Sequence, residues 1–506
     1  MKRLSSATLA ELPSTVARPD FVPAQHAAGI VHLGIGAFHR AHQAVYTDDV
    51  LARSGGDWRI VGVSLRSQTV ADQLDPQDGL YTVNVKDETG SAYRVVGAVE
   101  RVMYAPGDPE AVIRLMADPG TRIVSLTVTE KGYCHDPASG TLNFSHPAII
   151  ADLENPGRPE SALGYLVEAL SRRRSIALQP FTVLCCDNLP SNGPLVRGLV
   201  IELAARCDKT LAAWIAEEVA FPATMIDRIV PATTDADREA AAAALGFDDC
   251  GLVVTEPFTQ WVIEDWFCNT RPSWEDAGAQ IVSEVEPFEL AKLRLLNGSH
   301  STIAYLGYLG GYEYVHQAMR DPAYRELIGY LMRAEIAPTL TPPEGFDLNR
   351  YQQDLMNRFS NPALNHRTYQ IAMDGSQKLP QRLLGTVRDR LSAGKGFAGL
   401  ALAVAAWIRY VRGVDEHGTR IVVQDPLGEA LAELTRELES APDVVVRQVL
   451  GFAEVFDNDL VEHESFVAEA TEAMHRLLEF GARETVNRFV DELAADGPGR
   501  SARAPT

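Results

Sequence analysis

An amine, an amide and an imidazole interrupt a largely apolar helical run at residues 292–301; they belong to Lys292, Asn297 and His300. At about 100° per residue of an α-helix, Asn297 lies roughly 140° and His300 roughly 80° from Lys292, so all three can face one cleft. A lysine held away from water loses part of its preference for the ammonium form and can accept a proton near neutral pH. The run therefore predicts a general base.

A second polar position favours this interpretation over a purely structural one. Taken alone, Lys292 could snorkel from a helix end and His300 could be a core histidine. Asn188, however, closely follows a strand-like apolar run at 181–184, and ligands of open α/β sheets bind at the carboxyl ends of the strands. Asn188 and Asn297 can then donate hydrogen bonds to one substrate oxygen, which describes an oxyanion site beside a base.

The elements that must position these groups divide the chain into two parts. Apolar runs followed by helical patterns predict parallel strands at 29–33, 58–63, 122–128 and 181–184. From about residue 287 the pattern changes to amphipathic helices at 324–337, 381–393, 400–411 and 466–493. We therefore expect an α/β protein with a Rossmann-type dinucleotide-binding domain at 1–285. A mostly α-helical substrate and catalytic domain would follow at 286–506, with a frayed tail from residue 496.

A glycine pair follows the first predicted strand directly. Gly34 permits a tight turn, and Gly36 lets backbone N–H groups approach a pyrophosphate at the start of the next helix. Arg40 can add a positive charge. The nearby His39 and His42 are interpreted as a helix-face pair rather than metal ligands, since no acidic or cysteine partner lies at ligand spacing.

The choice between NAD and NADP depends on the end of the second strand. A carboxylate there would hold an adenosine ribose, but the first acid after the strand is Asp72. Arg66, beside small hydroxyl residues, would also suit a ribose phosphate. We favour NAD, and NADP stays open.

Composition excludes several classes of function. The 506 residues carry a formal net charge of −22, which argues against nucleic acid or an anionic membrane as a partner. The six cysteines show no Cys-x-x-Cys spacing, which is typical of a reduced compartment and indicates no zinc site. Since no apolar run approaches the ~18 residues of a membrane helix, we expect a cytoplasmic protein.

Seven motifs together resemble the polyol-specific long-chain dehydrogenase family, also called the mannitol dehydrogenase family. They lie at 34–42, 129–133, 186–190, 225–229, 260–265, 292–301 and 374–376. The resemblance covers nearly the whole chain and implies metal-independent hydride transfer with NAD, on a small sugar acid or polyol, by a monomer.

The resemblance also implies residue roles. Lys292 is the general base, Asn188 and Asn297 hold the reacting oxygen, His300 orients the substrate, and Asp227 lies near the polyol. The implied cofactor-binding residues are Gly34, Gly36, Phe38, Arg40, Arg66 and Glu130. Glu130 and Glu289 are also candidates for a proton path, with surface carboxylates as the alternative for both.

The segment 361–378 bears on the substrate. It carries Gln370, an expected substrate contact, where mannitol dehydrogenases tend to carry arginine, and it is similar to fructuronate reductases. Arg367 could bind a hexuronate carboxylate bidentately, and Lys378 and Arg382 could extend a basic wall. We therefore expect interconversion of D-fructuronate and D-mannonate. The alternative is a mannitol 2-dehydrogenase acting on D-fructose and D-mannitol, and a non-catalytic sugar- or nucleotide-responsive protein is a more distant one.

Overall fold

Five parallel strands form the main sheet of the N-terminal part. The computed structural model describes residues 1–136, 139–343 and 345–496, and the chain divides into two compact units, Met1–Glu286 and Pro287–Thr506. The strands of the first unit are β1 Ala28–Leu33, β2 Arg59–Ser64, β3 Tyr81–Asp87, β4 Gly90–Val96, β5 Val99–Tyr104, β6 Ile123–Leu126, β7 Thr182–Cys185, β8 Thr224–Asp227, β9 Val253–Thr255, β10 Gln260–Glu264 and β11 Gln280–Val282.

Helices alternate with the strands in this unit. They are α1 Ala37–Ala41, α2 Gln43–Ser54, α3 Thr69–Leu74, α4 Pro109–Ala117, α5 Pro147–Glu154, α6 Ala162–Ser175, α7 Asn192–Cys207, α8 Lys209–Glu218 and α9 Asp235–Leu245. Short 3-10 turns lie at Leu9–Glu11, Pro23–Gln25, Asp75–Gln77, Glu130–Tyr133 and Trp274–Ala277.

The main sheet has the strand order β5-β2-β1-β6-β7, and all its pairs are parallel. Leu33 pairs with both Val63 and Leu126, and Leu126 pairs with Cys185. The carboxyl ends of four strands are therefore level, and chain order reverses between β1 and β6, where open sheets bind ligands. Two smaller sheets have the orders β11-β10-β8 and β4-β3-β9.

Apolar clusters cover both faces of the main sheet. Val31 and Leu33 belong to one cluster, whereas their neighbour Ile30 belongs to another, as alternation along a strand requires. Since parallel sheets are covered on both sides, their strands read as nearly continuous apolar runs. That is why apolar runs in the sequence predicted four of the five strands, β1, β2, β6 and β7, whereas β5 was not predicted. The Rossmann-type α/β expectation is confirmed.

The second unit is helical. Its α-helices are α10 Glu286–Ala291, α11 Ser299–Leu309, α12 Val315–Arg320, α13 Pro322–Tyr330, α14 Leu348–Ser360, α15 Thr368–Ala372, α16 Gly375–Leu379, α17 Gly385–Ser392, α18 Ala398–Val411, α19 Gly428–Leu434, α20 Pro442–Leu450, α21 Ala453–Phe456 and α22 Glu464–Asp496. Three π-helical turns lie at Lys292–Gly298, Leu331–Ile336 and Pro380–Leu384. Further 3-10 turns lie at Ala337–Thr339, Pro362–Leu364 and Leu460–Glu462.

Helix α18 forms the centre of this unit. Every residue from Gly399 to Val411 is buried, and α11 and α22 pack against the helix. A helix that is apolar all round is stable only when neighbours enclose it. Gly481, with φ of 75°, breaks α22 into two helical stretches.

Two further observations bear on the sequence expectations. From residue 497 onward, the expected tail lies outside the described residues. Among the described helices, none is both long and apolar enough to cross a membrane.

Candidate functional site

The glycine loop lies at the level carboxyl edge of the main sheet. Gly34 has φ of 92°, and a β-carbon there would collide with the Thr127 carbonyl oxygen, so only glycine fits. At Gly36 the nearest atom to an added β-carbon is the Gly34 carbonyl oxygen, 3.8 Å away. The space beside Gly36 is therefore open to a phosphate group, and the loop fits a dinucleotide.

Arg40 occupies a different position from the one expected. Its side chain is buried, and its guanidinium donates hydrogen bonds to the carbonyl oxygens of Gly251 and Gly36. These bonds link the start of α1 to the segment before β9. We therefore assign Arg40 a structural role in holding the glycine loop. Phe38 is half-buried and stacks on the His42 ring, with centroids 5.2 Å apart. Arg66 is exposed just after β2.

His39 and His42, interpreted from the sequence as a helix-face pair rather than metal ligands, are both buried. His39 stacks on His32 with ring centroids 3.4 Å apart, and the His32 nitrogens lie 2.8 Å from Ser125 Oγ and Thr127 Oγ1. Burial lowers the pKa of His32 to about 3, so its ring is neutral at pH 7. Within the part of the chain that the structure describes, no group of three or more His, Cys, Asp or Glu side chains could hold a metal ion.

Asn188 is exposed in the loop after β7, and its neighbour Asp187 fixes that loop. The Asp187 carboxylate accepts hydrogen bonds from Val128 N at 2.8 Å, Thr129 N at 3.2 Å and Tyr133 Oη at 2.7 Å. Burial raises the pKa of Asp187, and these three bonds oppose that rise. Asp187 therefore ties the loop after β7 to the loop after β6.

The loop after β6 is strained at Thr129, which has φ of 68°. A β-branched residue in this region persists only where its surroundings determine it, as Asp187 does here. Glu130 follows and is exposed. Sequence reasoning missed Asp187, although an aspartate placed directly before Asn188 at a strand end was the available signal.

Asp227 is the last residue of β8 and is buried. It pairs with Gln260 of β10 in the antiparallel ladder. The two sequence motifs at 225–229 and 260–265 therefore contain neighbouring strands. Their pairing explains why both belong to the set of motifs that carries the family resemblance.

In the second unit, Lys292 and Asn297 lie in a π-helical turn, Lys292–Gly298. The α-helical spacing expected for this run is therefore wrong. Hydrogen bonds of a π-turn join residues i and i+5, so residues five apart lie on one face, and such turns are frequent at functional sites. The turn brings Lys292 and Asn297 closer to a common face than an α-helix would, and Lys292 is 8% exposed.

His300 is buried at the start of α11. Its ring centroid lies 4.5 Å from that of Phe359 and 5.1 Å from that of His366. Burial lowers the pKa of His300 well below its usual value, and the neighbouring His366, Arg358 and Arg382 lower it further. The imidazole is therefore neutral at pH 7 and serves as a hydrogen-bonding group, which leaves Lys292 as the candidate base.

Arg367 and Gln370, the expected substrate contacts, are both exposed. The Arg367 side chain is 61% exposed and pairs with Glu313 Oε1 at 3.5 Å. By contrast, Arg382 lies in the π-turn Pro380–Leu384 and donates to Ser301 Oγ at 3.2 Å.

The motif at 374–376 has a packing role. A β-carbon at Gly375 would meet Trp407 Nε1 and Tyr305 Oη, and Ser376 N donates to Asp425 Oδ2 at 2.8 Å. Glycine is therefore required beneath two buried rings, and the aspartate holds the start of α16.

Two family models match the chain along most of its length. Residues 28–276 match the mannitol dehydrogenase Rossmann domain, and residues 284–478 match the mannitol dehydrogenase C-terminal domain. The chain belongs to the mannitol dehydrogenase family. The family resemblance found in the sequence is thus confirmed, and the protein is an oxidoreductase of this family.

Relatives within the mannitol dehydrogenase family differ in the substrates that their names give. The chain is 48% identical to a D-mannonate oxidoreductase of Escherichia coli, over 95% of this chain and 99% of that one. It is 40% identical to a mannitol 2-dehydrogenase of Phaeosphaeria nodorum, over 96% and 85%. The solved Pseudomonas fluorescens mannitol 2-dehydrogenase, in a ternary complex with NAD and D-mannitol, is 37% identical with a TM-score of 0.86, over 97% of this chain and 100% of that one.

Proposed function

We propose that this oxidoreductase catalyses the reversible, NAD-dependent reduction of D-fructuronate to D-mannonate. The observation that carries the substrate assignment is the 48% identity to a D-mannonate oxidoreductase over nearly the full length of both chains. The identity to the mannitol 2-dehydrogenase is lower, at 40%. The chemistry of the second unit supports the reaction type, because it combines a buried lysine with an amide in one π-turn.

Gly34 and Gly36 would hold the pyrophosphate of NAD. The space beside Gly36 is open, and no residue larger than glycine fits at Gly34. A relative of the same fold binds NAD. When bound, NAD exchanges a hydride with carbon C5 of the sugar acid. The loop at Arg66, which is exposed and follows Ser64, is where selectivity against NADP would be decided.

The proposed proton path begins at Lys292. During oxidation of D-mannonate, the neutral amine accepts the proton of the C5 hydroxyl, and during reduction the ammonium returns it. The amides of Asn188 and Asn297 donate hydrogen bonds to the C5 oxygen and stabilise the charge that develops on it. Neutral His300 orients the substrate by a hydrogen bond.

Three carboxylates complete the proposed site. Asp227 would accept hydrogen bonds from substrate hydroxyls, and Glu130 and Glu289 would exchange the Lys292 proton with solvent. We also propose a monomer, which light scattering of the purified protein would test.

A neutral polyol is the second candidate substrate. Arg367, the guanidinium first expected to bind a carboxylate, is exposed and paired with Glu313, which favours a substrate without one. Relatives named mannitol 2-dehydrogenase are also close. The competing reaction would interconvert D-fructose and D-mannitol with the same base.

Initial rates of NADH oxidation, measured with D-fructuronate and with D-fructose and repeated with NADPH, test the proposal. We expect kcat/KM for D-fructuronate to exceed that for D-fructose, and NADH to be preferred. A preference for D-fructose would instead support the second candidate reaction, which interconverts D-fructose and D-mannitol. Absence of turnover on both substrates would reject both.

A further inference from the structure

Arg382 lies where two π-turns of the second unit meet. Gly298 ends the first turn, and a β-carbon on it would lie 2.7 Å from the Arg382 carbonyl oxygen. The second turn, Pro380–Leu384, contains Arg382 itself. The backbone of Arg382 is therefore fixed against the helix that carries Lys292 and Asn297.

The guanidinium of Arg382 extends along that helix. Its Nη1 donates to Ser301 Oγ at 3.2 Å, and Ser301 is fully buried. Ser301 lies four residues after Asn297, which corresponds to about 6 Å along a helix and to the same face. This separation is comparable to the length of a six-carbon chain whose C5 oxygen is held by Asn297.

Charges of both signs act on the buried side chains beside this guanidinium. Asp425 and Asp374 oppose Arg382 at buried Tyr305, whereas at buried His300 the positive charges of Arg382 and Arg358 act together. An anion placed among these groups would gain more than it would in water, because the low dielectric strengthens the attraction. A planar guanidinium binds a carboxylate bidentately, which a lysine cannot do.

Arg367 lacks these properties. Its side chain is 61% exposed, and its guanidinium is paired with Glu313 and stands over the Tyr314 ring, 5.9 Å from the centroid. An exposed pair of this kind is screened by water and contributes little to binding.

We propose that Arg382, rather than Arg367, binds the substrate carboxylate and makes the enzyme selective for a hexonate over a neutral polyol. This inference rests on the proposed function. The C5 end of the substrate would lie at Lys292 and Asn297, and the C1 carboxylate would lie at Arg382 near Ser301 and His300.

Three variants test the assignment: Arg382→Gln, Arg382→Lys and the matched control Arg367→Gln. We expect Arg382→Gln to lower kcat/KM for D-fructuronate about 10- to 100-fold, because a hydrogen-bonded charge pair is lost. The loss should appear mainly in KM, and kcat/KM for D-fructose should stay constant or rise. Arg382→Lys should fall between the wild type and Arg382→Gln, and Arg367→Gln should match the wild type.

NADH binding by each variant shows whether the fold is intact. An equal loss on D-fructuronate and D-fructose in Arg382→Gln would overturn the assignment, as would a selective loss in Arg367→Gln alone. Failure of the proposed function is separate, because it appears as wild-type turnover of D-fructose instead of D-fructuronate. In that case, inhibition of D-fructose reduction by D-mannonate decides: weaker inhibition in Arg382→Gln supports the contact, and equal inhibition rejects it.

Discussion

The two units position polar side chains by different physical means. In the first unit, the pairing of parallel strands brings the carboxyl ends of four strands to the same level. Residues far apart in sequence, such as Gly34 and Asn188, therefore follow strands that end together. In the second unit, π-turns bring near neighbours in sequence, such as Lys292 and Asn297, toward one face. A sheet edge thus assembles a site by long-range pairing, whereas a π-turn assembles one by a local change of helical period.

The largest expected effect is that of Lys292→Ala in the second unit. Removal of the proton acceptor should lower turnover by several orders of magnitude while NADH affinity is kept, because only the proton-transfer role is lost. Steady-state rates and an NADH titration measure the two quantities. Lys395→Ala, at an exposed lysine of the same unit, is the control and should match the wild type. Normal turnover in Lys292→Ala would show that Lys292 is not the general base.

Next in size is Asn188→Ala in the first unit. Loss of one donor to the developing oxyanion should lower kcat about 10²-fold. Steady-state kinetics on D-fructuronate measure this, with Asn155→Ala, at an exposed asparagine of the same unit, as the control. A change in KM alone would show that Asn188 contributes binding but no stabilisation of the reacting oxygen.

Asp187→Asn tests how the sheet edge is held. An amide cannot accept all three hydrogen bonds that the carboxylate accepts, so the free energy of unfolding should fall by about 1.5–3 kcal/mol. Because Asn188 is adjacent, kcat should fall as well. Asp118→Asn, at an exposed aspartate that caps Gly120 N before β6, should change stability by less than about 0.5 kcal/mol. Urea unfolding compares the stabilities of the two variants. Equal stabilities would show that Asp187 does not hold the two loops in position.

Gly298→Ala tests the contact between the two π-turns. The added β-carbon would lie 2.7 Å from the Arg382 carbonyl oxygen, so we expect a loss of about 1–3 kcal/mol from overpacking and a lower kcat. The control is Gly307→Ala in α11, where the nearest atom would be at 3.4 Å and alanine favours the helix by about 1 kcal/mol. If both variants were equally stable, the π-turns would not depend on this close approach.

The contrast between the units also explains what could be predicted from the sequence. Apolar runs predicted β1, β2, β6 and β7, because strands covered on both faces must be apolar throughout. The glycine loop was predictable because only glycine tolerates its backbone.

The errors share a cause, which is that residue types alone do not determine the decisive contacts. A π-turn is defined by its hydrogen bonds and not by residue type, so the period around Lys292 was wrong. Arg367 and Arg382 look alike in sequence, and only packing shows that the first is exposed. The burial of His39 under His32 was not predicted, because it depends on the sheet.

The stoichiometry between NADH consumed and D-mannonate formed from D-fructuronate by the purified wild-type protein tests the central claim most directly. The proposed function predicts one D-mannonate for each NADH oxidised, and no comparable NADH consumption with D-fructose. NADH oxidation that yields no D-mannonate, or that occurs faster with D-fructose, would contradict it.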